Sequence, residues 1–254
     1  MTETPLLEVR GLGAGYGASR VLEDLSFSMG VEAVGIVGRN GMGKTTLCDT
    51  LVGFVPSSAG AVLLSGERID GLTPERIARM GIAYVPQGRR LFPSLTVDEH
   101  LAMLAKGSRG RRWTPEAVYE LFPRLAERKR HGGGDLSGGE QQMLALGRAL
   151  LLNAFLVVMD EPSEGLAPAI VDVLVDAVHQ MVAENVAVLV VEQNLRAAVR
   201  MAPRQLVMVS GRIEAEFGGD ELLSRSDLQH RYLGVGAAAA DDRQPVEKES
   251  GPSQ

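Results

Sequence analysis

The sequence predicts an α/β fold with a mostly parallel sheet, an N-terminal antiparallel β subdomain and an inserted helical subdomain, and three observations carry that prediction. Short β-branched and apolar runs are each followed by a helical pattern: Val34–Val37 then Thr45–Val52, Leu156–Met159 then Pro168–Ala183, Val186–Val191 then Leu195–Met201. Such alternation reads as βαβ units around a sheet buried on both faces. Leu6–Arg10, Val21–Met29 and Ala61–Leu64 are instead extended pieces among Gly-rich turns such as Gly11–Gly17, which assigns them to an antiparallel sheet beside the first. Between Pro93 and Asn153 the strand-like runs stop, and helical spacing takes over in Val97–Lys106, Pro115–Leu121 and Ser137–Leu152.

These shifts divide the chain into an α/β core with its antiparallel part (1–92 and 153–235), a helical insertion (93–152) and a tail (236–254). The tail is almost free of bulky apolar side chains and is expected to be disordered. The two longest loops of the insertion, Gly107–Thr114 and Glu127–Leu136, are rich in Gly and Arg.

With 254 residues and 45% hydrophobic composition the chain can bury a sizeable core. A net charge of −6 argues against coating a polyanion, so no nucleic-acid partner is expected. The single cysteine, Cys48, excludes an internal disulfide and fits a reducing compartment. The opening residues lack a basic segment followed by an apolar one, so no secretory signal is expected. Runs such as Phe155–Met159 and Val186–Val191 fall far short of the ~18–20 residues that span a bilayer as a helix. Any membrane role is therefore expected to be peripheral.

Chemistry enters at Gly38-Arg39-Asn40-Gly41-Met42-Gly43-Lys44-Thr45, followed by Thr46. This matches G-x-x-x-x-G-K-[ST] after a strand and before a helix, the setting that makes it a phosphate-binding P-loop. Glycines let the loop wrap phosphates with inward-facing backbone N–H groups and the following helix adds its partial positive N-terminus, which makes Gly38, Asn40, Gly41, Gly43 and Thr46 candidate nucleotide contacts. Lys44 neutralises β- and γ-phosphate charge, and Thr45 offers its hydroxyl to Mg²⁺. The fold class thereby becomes a P-loop NTPase (RecA-like) core. Downstream, Leu156–Met159 runs into Asp160-Glu161-Pro162. Carboxylates just past a buried strand sit at the sheet edge where ligands of open α/β folds gather, so Asp160 is a candidate for the Mg²⁺ shell and Glu161 for the base acting on water.

Leu136-Ser137-Gly138-Gly139-Glu140-Gln141-Gln142 precedes an amphipathic run. Read alone, it is either a capped helix start, with Ser137 and Glu140 forming a capping box, or a Gly-flanked anion site. With the P-loop and Asp160-Glu161 in this order, the chain from about Leu6 to Gly234 resembles the ABC ATPase family, whose signature is LSGGQ-like. The resemblance implies that Tyr16 stacks on adenine, that Gln87 joins the Mg²⁺ site to a transmembrane partner, and that two subunits pack head to tail. Ser137, Gly138 and Gly139 of one subunit then close over ATP held by the other.

Two departures from the commonest family pattern stand out. Gln193 occupies the place of the switch histidine and cannot carry charge near neutral pH; Ala167 replaces an interface Asp. Glu192-Gln193-Asn194, Gly165-Leu166-Ala167-Pro168, Gly88-Arg89-Arg90-Leu91-Phe92-Pro93 and Leu121-Phe122-Pro123-Arg124-Leu125 look like the LivF-type ATPase of branched-chain amino acid importers. The resemblance implies ATP and Mg²⁺ as cofactors and a location on the cytoplasmic face of the cell membrane. It also implies a paralogous ATPase subunit as partner (a homodimer in isolation), transmembrane permease subunits, and a solute-binding protein engaged indirectly. Leu91, Phe92 and Leu95 are expected contacts for a permease helix. An ATPase of a urea or short-chain amide importer is the nearest alternative. Further off is a soluble ABC ATPase acting on ribosomes or DNA complexes, whose relatives carry paired ATPase units or a long coiled coil that this chain has no room for.

Overall fold

The computed structural model describes residues 4–105 and 112–234. The antiparallel strands are β1 (Leu7–Tyr16), β2 (Ser19–Met29), β4 (Ser57–Leu64) and β5 (Glu67–Arg68), lying side by side as β2-β1-β4-β5. The larger sheet holds β3 (Ala33–Val37), β6 (Ile82–Val85), β7 (Leu156–Asp160), β8 (Ala187–Glu192), β9 (Arg204–Val209) and β10 (Arg212–Gly218). Their order is β10-β9-β3-β8-β7-β6, and only β10 runs antiparallel to its neighbour.

Helices connect these strands as the sequence alternation requires. Helix α1 (Lys44–Leu51) follows β3, α2 (Pro74–Met80) precedes β6, and α3 (Val97–Ala105), α4 (Pro115–Leu121), α5 (Pro123–Glu127) and α6 (Gly138–Leu150) form the insertion. Helix α7 (Pro168–Ala183) joins β7 to β8, α8 (Leu195–Met201) joins β8 to β9, and α9 (Gly219–Ser224) and α10 (Ser226–Leu228) lead into a π-helical turn at Gln229–Leu233. None of the described helices is long and apolar enough to cross a membrane. The expected tail at 236–254 and most of the loop at 107–114 lie outside the described residues.

The period-2 alternation of the parallel strands divides the core in two. In β8, Val188 and Val190 join a cluster with Phe122, Met143, Leu144 and Leu146 of the helical insertion. Ala187, Leu189 and Val191 face the other way, onto Leu47 and Leu51 of α1 and Leu7, Leu12 and Leu25 of the antiparallel sheet. Every β8 residue is buried, which is why the run reads as continuously apolar in sequence.

Gly11–Tyr16 is strand, and only Gly17 with Ala18 forms the expected turn. Strand β1 continues to Tyr16, with register shifts against β2 and β4. Gly11 takes a left-handed φ of 57° at this bulged stretch, and a Cβ on Gly15 would lie 2.0 Å from the Ser19 carbonyl oxygen. The glycines therefore mark bulges and close strand approach, a use of Gly that composition alone does not separate from a turn.

Local chemistry fixes the start of α4. The Thr114 hydroxyl accepts the Ala117 N–H at 3.3 Å, with Pro115 at the first helical position of α4. Thr114→Ala is expected to lower unfolding stability by about 1 kcal/mol in chemical denaturation. An unchanged midpoint would show that the packing of Val118 and Tyr119, not this cap, holds α4.

Candidate functional site

The site is assembled where the C-terminal ends of β3, β7 and β8 meet, because parallel strands deliver their following loops to one edge of the sheet. A cavity of about 370 Å³ opens there, lined by Val21, Asn40, Gly41, Gly43, Lys44, Thr45, Thr46, Gln87, Glu161 and Glu164. Six of these are expected P-loop positions. Gly43 enters α1 with φ 102°, a left-handed conformation that would strain any L side chain. Gly38 is buried beneath the loop, where a Cβ would sit 2.6 Å from the Met208 carbonyl oxygen.

Lys44 is only 4% exposed. Its ammonium donates to the carbonyls of Gly38 (2.9 Å) and Arg39 (3.2 Å) and pairs with Glu161 at 3.1 Å. The other Glu161 oxygen accepts from the Gln87 amide at 3.3 Å, and the same amide donates to Glu164 at 2.8 Å. Glu161 thus bridges Lys44 and Gln87, bringing together three segments far apart in sequence. Glu161 itself has φ 47°, with its N–H bonded to the Val191 carbonyl at 2.8 Å. The backbone is held in a sparsely populated conformation that turns this carboxylate toward Lys44.

Asp160 lies one residue earlier and is 1% exposed. Burial pushes its carboxyl up to about 6, with the negative charges of Glu161 and Asp49 adding to the shift and the Thr45 hydroxyl and Lys44 opposing it. Neither oxygen has a hydrogen-bond partner of good geometry. An orphaned, buried carboxylate beside a hydroxyl fits a hard cation that takes oxygen ligands. Among the described residues no group of three or more His, Cys, Asp or Glu could hold a metal by itself. A cation at Asp160 and Thr45 would therefore draw further ligands from phosphate oxygens and water, as Mg²⁺ does at nucleotide sites.

The remaining sequence candidates lie outside the cavity. Tyr16 ends β1 and is 53% exposed. Gln193 is exposed just past β8. Ser137 caps α6: its hydroxyl accepts the Glu140 N–H at 3.3 Å, and Glu140 accepts the Ser137 N–H at 2.8 Å. The capping box is thus formed, and Ser137 is exposed with it. A Cβ on Gly139 would lie 2.8 Å from Ile170, and one on Gly138 would lie 3.2 Å from the Arg89 guanidinium, so both glycines permit close packing.

A separate apolar groove of about 350 Å³ runs between the core and the insertion, lined by residues including Phe54, Tyr84, Arg89, Leu104 and Arg148. Leu91, Phe92 and Leu95 do not line it. Leu91 packs on the insertion core, and Phe92 stacks on His100 with Arg148 over its ring.

A family model described as ABC transporter matches residues 22–164, more than half of the chain and inclusive of the P-loop, Glu161 and the signature turn. The chain belongs to the ABC transporter ATP-binding family. It is an ATPase subunit whose hydrolysis is coupled to transport, and cassettes of this family work as dimers with transmembrane permease subunits. The chain is similar to the high-affinity branched-chain amino acid transport ATP-binding protein BraG of Pseudomonas aeruginosa, at 42% identity over 86% of this chain and 95% of that protein. It is also similar to a probable branched-chain amino acid transport ATP-binding protein LivF of Archaeoglobus fulgidus, at 31% identity over 91% of this chain and 99% of that one. Among solved structures, the ADP conformation of the ABC cassette MJ1267 superposes with a TM-score of 0.76 at 25% identity, covering 92% of this chain and all of that one.

Sequence reasoning missed Glu164, Arg89 and Glu192. Glu192 had a signal: it is an acid closing the buried run of β8, and it is 2% exposed. Arg89 had none, because its contacts with Gln141 and the Glu164 carbonyl depend on tertiary placement.

Proposed function

We propose that this ABC ATPase energises uptake of branched-chain amino acids, as a peripheral subunit on the cytoplasmic face of the cell membrane. The observation that carries the catalytic part is the direct meeting of Lys44, Glu161 and Gln87 over the P-loop cavity. Phosphates of ATP take the place of Glu161 on Lys44, and the released carboxylate is free to accept a proton from water. Asp160 and Thr45, with Gln87, would hold Mg²⁺, which would supply neutralisation of phosphate charge. Gln193 donates its amide to the γ-phosphate, and Tyr16 stacks on adenine.

Ser137, Gly138 and Gly139 serve the nucleotide of a partner subunit. None of the three lines the cavity in their own chain, which supports that assignment, as does the exposure of Ser137 at the N-terminus of α6. The partner is a paralogous ATPase in the cell and a second copy in isolation. The division into a core (1–92 and 153–235) and a helical insertion (93–152) gives the two parts that carry the two half-sites. The apolar groove between them receives a permease helix, and a solute-binding protein acts upstream without touching this chain.

The solute assignment rests on the 42% identical relative and on Glu192-Gln193-Asn194 and Gly165-Leu166-Ala167-Pro168. It is tested by deleting the gene and measuring uptake of radiolabelled leucine and urea. Lost leucine uptake that Lys44→Ala cannot restore is the expected result; lost urea uptake alone would move the chain to the amide branch. Affinity purification from membranes tests the assembly. Co-purification of a second ATPase and permeases is expected, and a complex with two copies of this chain and no paralogue would contradict the heterodimer.

A further inference from the structure

Strands β7 and β8 are neighbours in the sheet, with Asp160 paired to Val191, so the loops that follow them leave side by side. One carries Glu161 and Ser163; the other carries Gln193 and Asn194. Glu192 stands between them, 2% exposed. Its Oε1 accepts the Ser163 N–H at 2.8 Å. Its Oε2 accepts the N–H groups of Gln193 at 3.2 Å and Asn194 at 3.3 Å. Each carboxylate oxygen thus serves a different loop.

We propose that Glu192 is a positioning residue whose carboxylate clamps the loop after Glu161 to the segment bearing Gln193, so that the two hold one fixed spacing around the γ-phosphate. The inference rests on the roles proposed above for Glu161 and Gln193. Taking a carboxylate out of water costs several kcal/mol, and a buried charge is ordinarily offset by a cation. Among the described residues Glu192 forms no ion pair, and its partners are backbone N–H groups and Ser163. No cation offsets the charge, so the acid is explained by the three N–H groups of the two loops whose hydrogen bonds it accepts, and which an apolar side chain would leave unpaired. The clamp extends further, since the Asn194 side chain accepts the Ala197 N–H at 3.2 Å and caps α8. It also bears on the departure at Gln193. A neutral amide is not drawn to phosphate by net charge, so its usefulness depends on being held in place, and Glu192 fixes its backbone.

Two acceptor oxygens are needed for this arrangement. An amide has one, and its N–H₂ would face a backbone N–H on the other side. Glu192→Gln therefore releases one loop while keeping size and shape. The full chain is assayed for ATP hydrolysis and for binding of a fluorescent ATP analogue, alongside Glu161→Gln and the double variant. A fall of about 100-fold in kcat is expected, the cost of a small misplacement of reacting groups, with nucleotide Kd within about threefold and an unchanged melting midpoint. The double variant is expected to match Glu161→Gln alone, because groups acting as one unit are not additive. A folded Glu192→Gln with kcat within twofold of wild type would overturn the proposal, as would parallel losses of kcat, Kd and melting midpoint. If Glu192→Gln does not fold, Glu192→Asp, whose stem is one methylene too short to reach both loops at once, is read by the same criteria. Retained turnover in Glu161→Gln would instead overturn the assignment of the base, and the two failures are told apart by that control.

Discussion

Glu161→Gln is expected to bind ATP at least as tightly as the unaltered chain and to turn it over about 10²–10⁴-fold more slowly, the range typical of a lost general base. That corresponds to about 3–5 kcal/mol of barrier. The substitution keeps the shape of the side chain but removes the proton acceptor and the charge that pairs with Lys44 at 3.1 Å. Lys44 is then held only by the carbonyls of Gly38 and Arg39, and is freer to meet phosphate. Affinity is therefore not expected to fall when catalysis does. Single-turnover hydrolysis and equilibrium binding on the same preparation check both halves. Turnover within about twofold of wild type, roughly 0.4 kcal/mol, would show that another group accepts the proton.

Lys44→Ala acts on the other member of the pair, and its loss is expected in binding. Removing one partner of a buried, hydrogen-bonded charge pair costs about 2–5 kcal/mol. The expected weakening of ATP is thus about 30-fold or more. The side chain is 4% exposed, so water cannot readily substitute for it. Some loss of folding stability is also expected, since Glu161 keeps only the Gln87 amide as a polar partner near the cavity. Isothermal titration with ATP measures the affinity, and an unchanged Kd would contradict the assigned phosphate loop.

Much of this arrangement is legible in the sequence because it is local. The P-loop, the Asp160-Glu161 pair and the Ser137 cap each lie on a strand–loop or loop–helix boundary that the apolar pattern marks, and α4, α7 and α8 begin and end where periodicity places them. What was not legible has a common cause. Strands β9 and β10 carry no clear strand signal, although Gln205–Met208 is fully buried, because the run lacks the repeated β-branched signature of β8. Gly11, Gly13 and Gly15 look like part of the turn at Gly17 until strand neighbours are paired on both sides of β1. The clamp at Glu192 and the contacts of Arg89 join segments 29 and more residues apart, which no local pattern encodes. The loop around Gln87–Phe92 and the helical insertion are expected to form a groove, and Arg89 and Arg90 of that loop line it with Leu104 and Arg148, whereas Leu91 and Phe92 pack on the insertion core and His100 instead.

The central claim is that one ATP is enclosed between the P-loop of one subunit and the Ser137–Gly139 turn of another. The most direct measurement is a structure of the Glu161→Gln chain with ATP and Mg²⁺. A head-to-tail dimer is expected, in which the Ser137 hydroxyl and the Gly139 N–H of the partner subunit lie within hydrogen-bond distance of the γ-phosphate. A nucleotide fully bound by residues of a single chain, with both signature turns facing solvent, would contradict it.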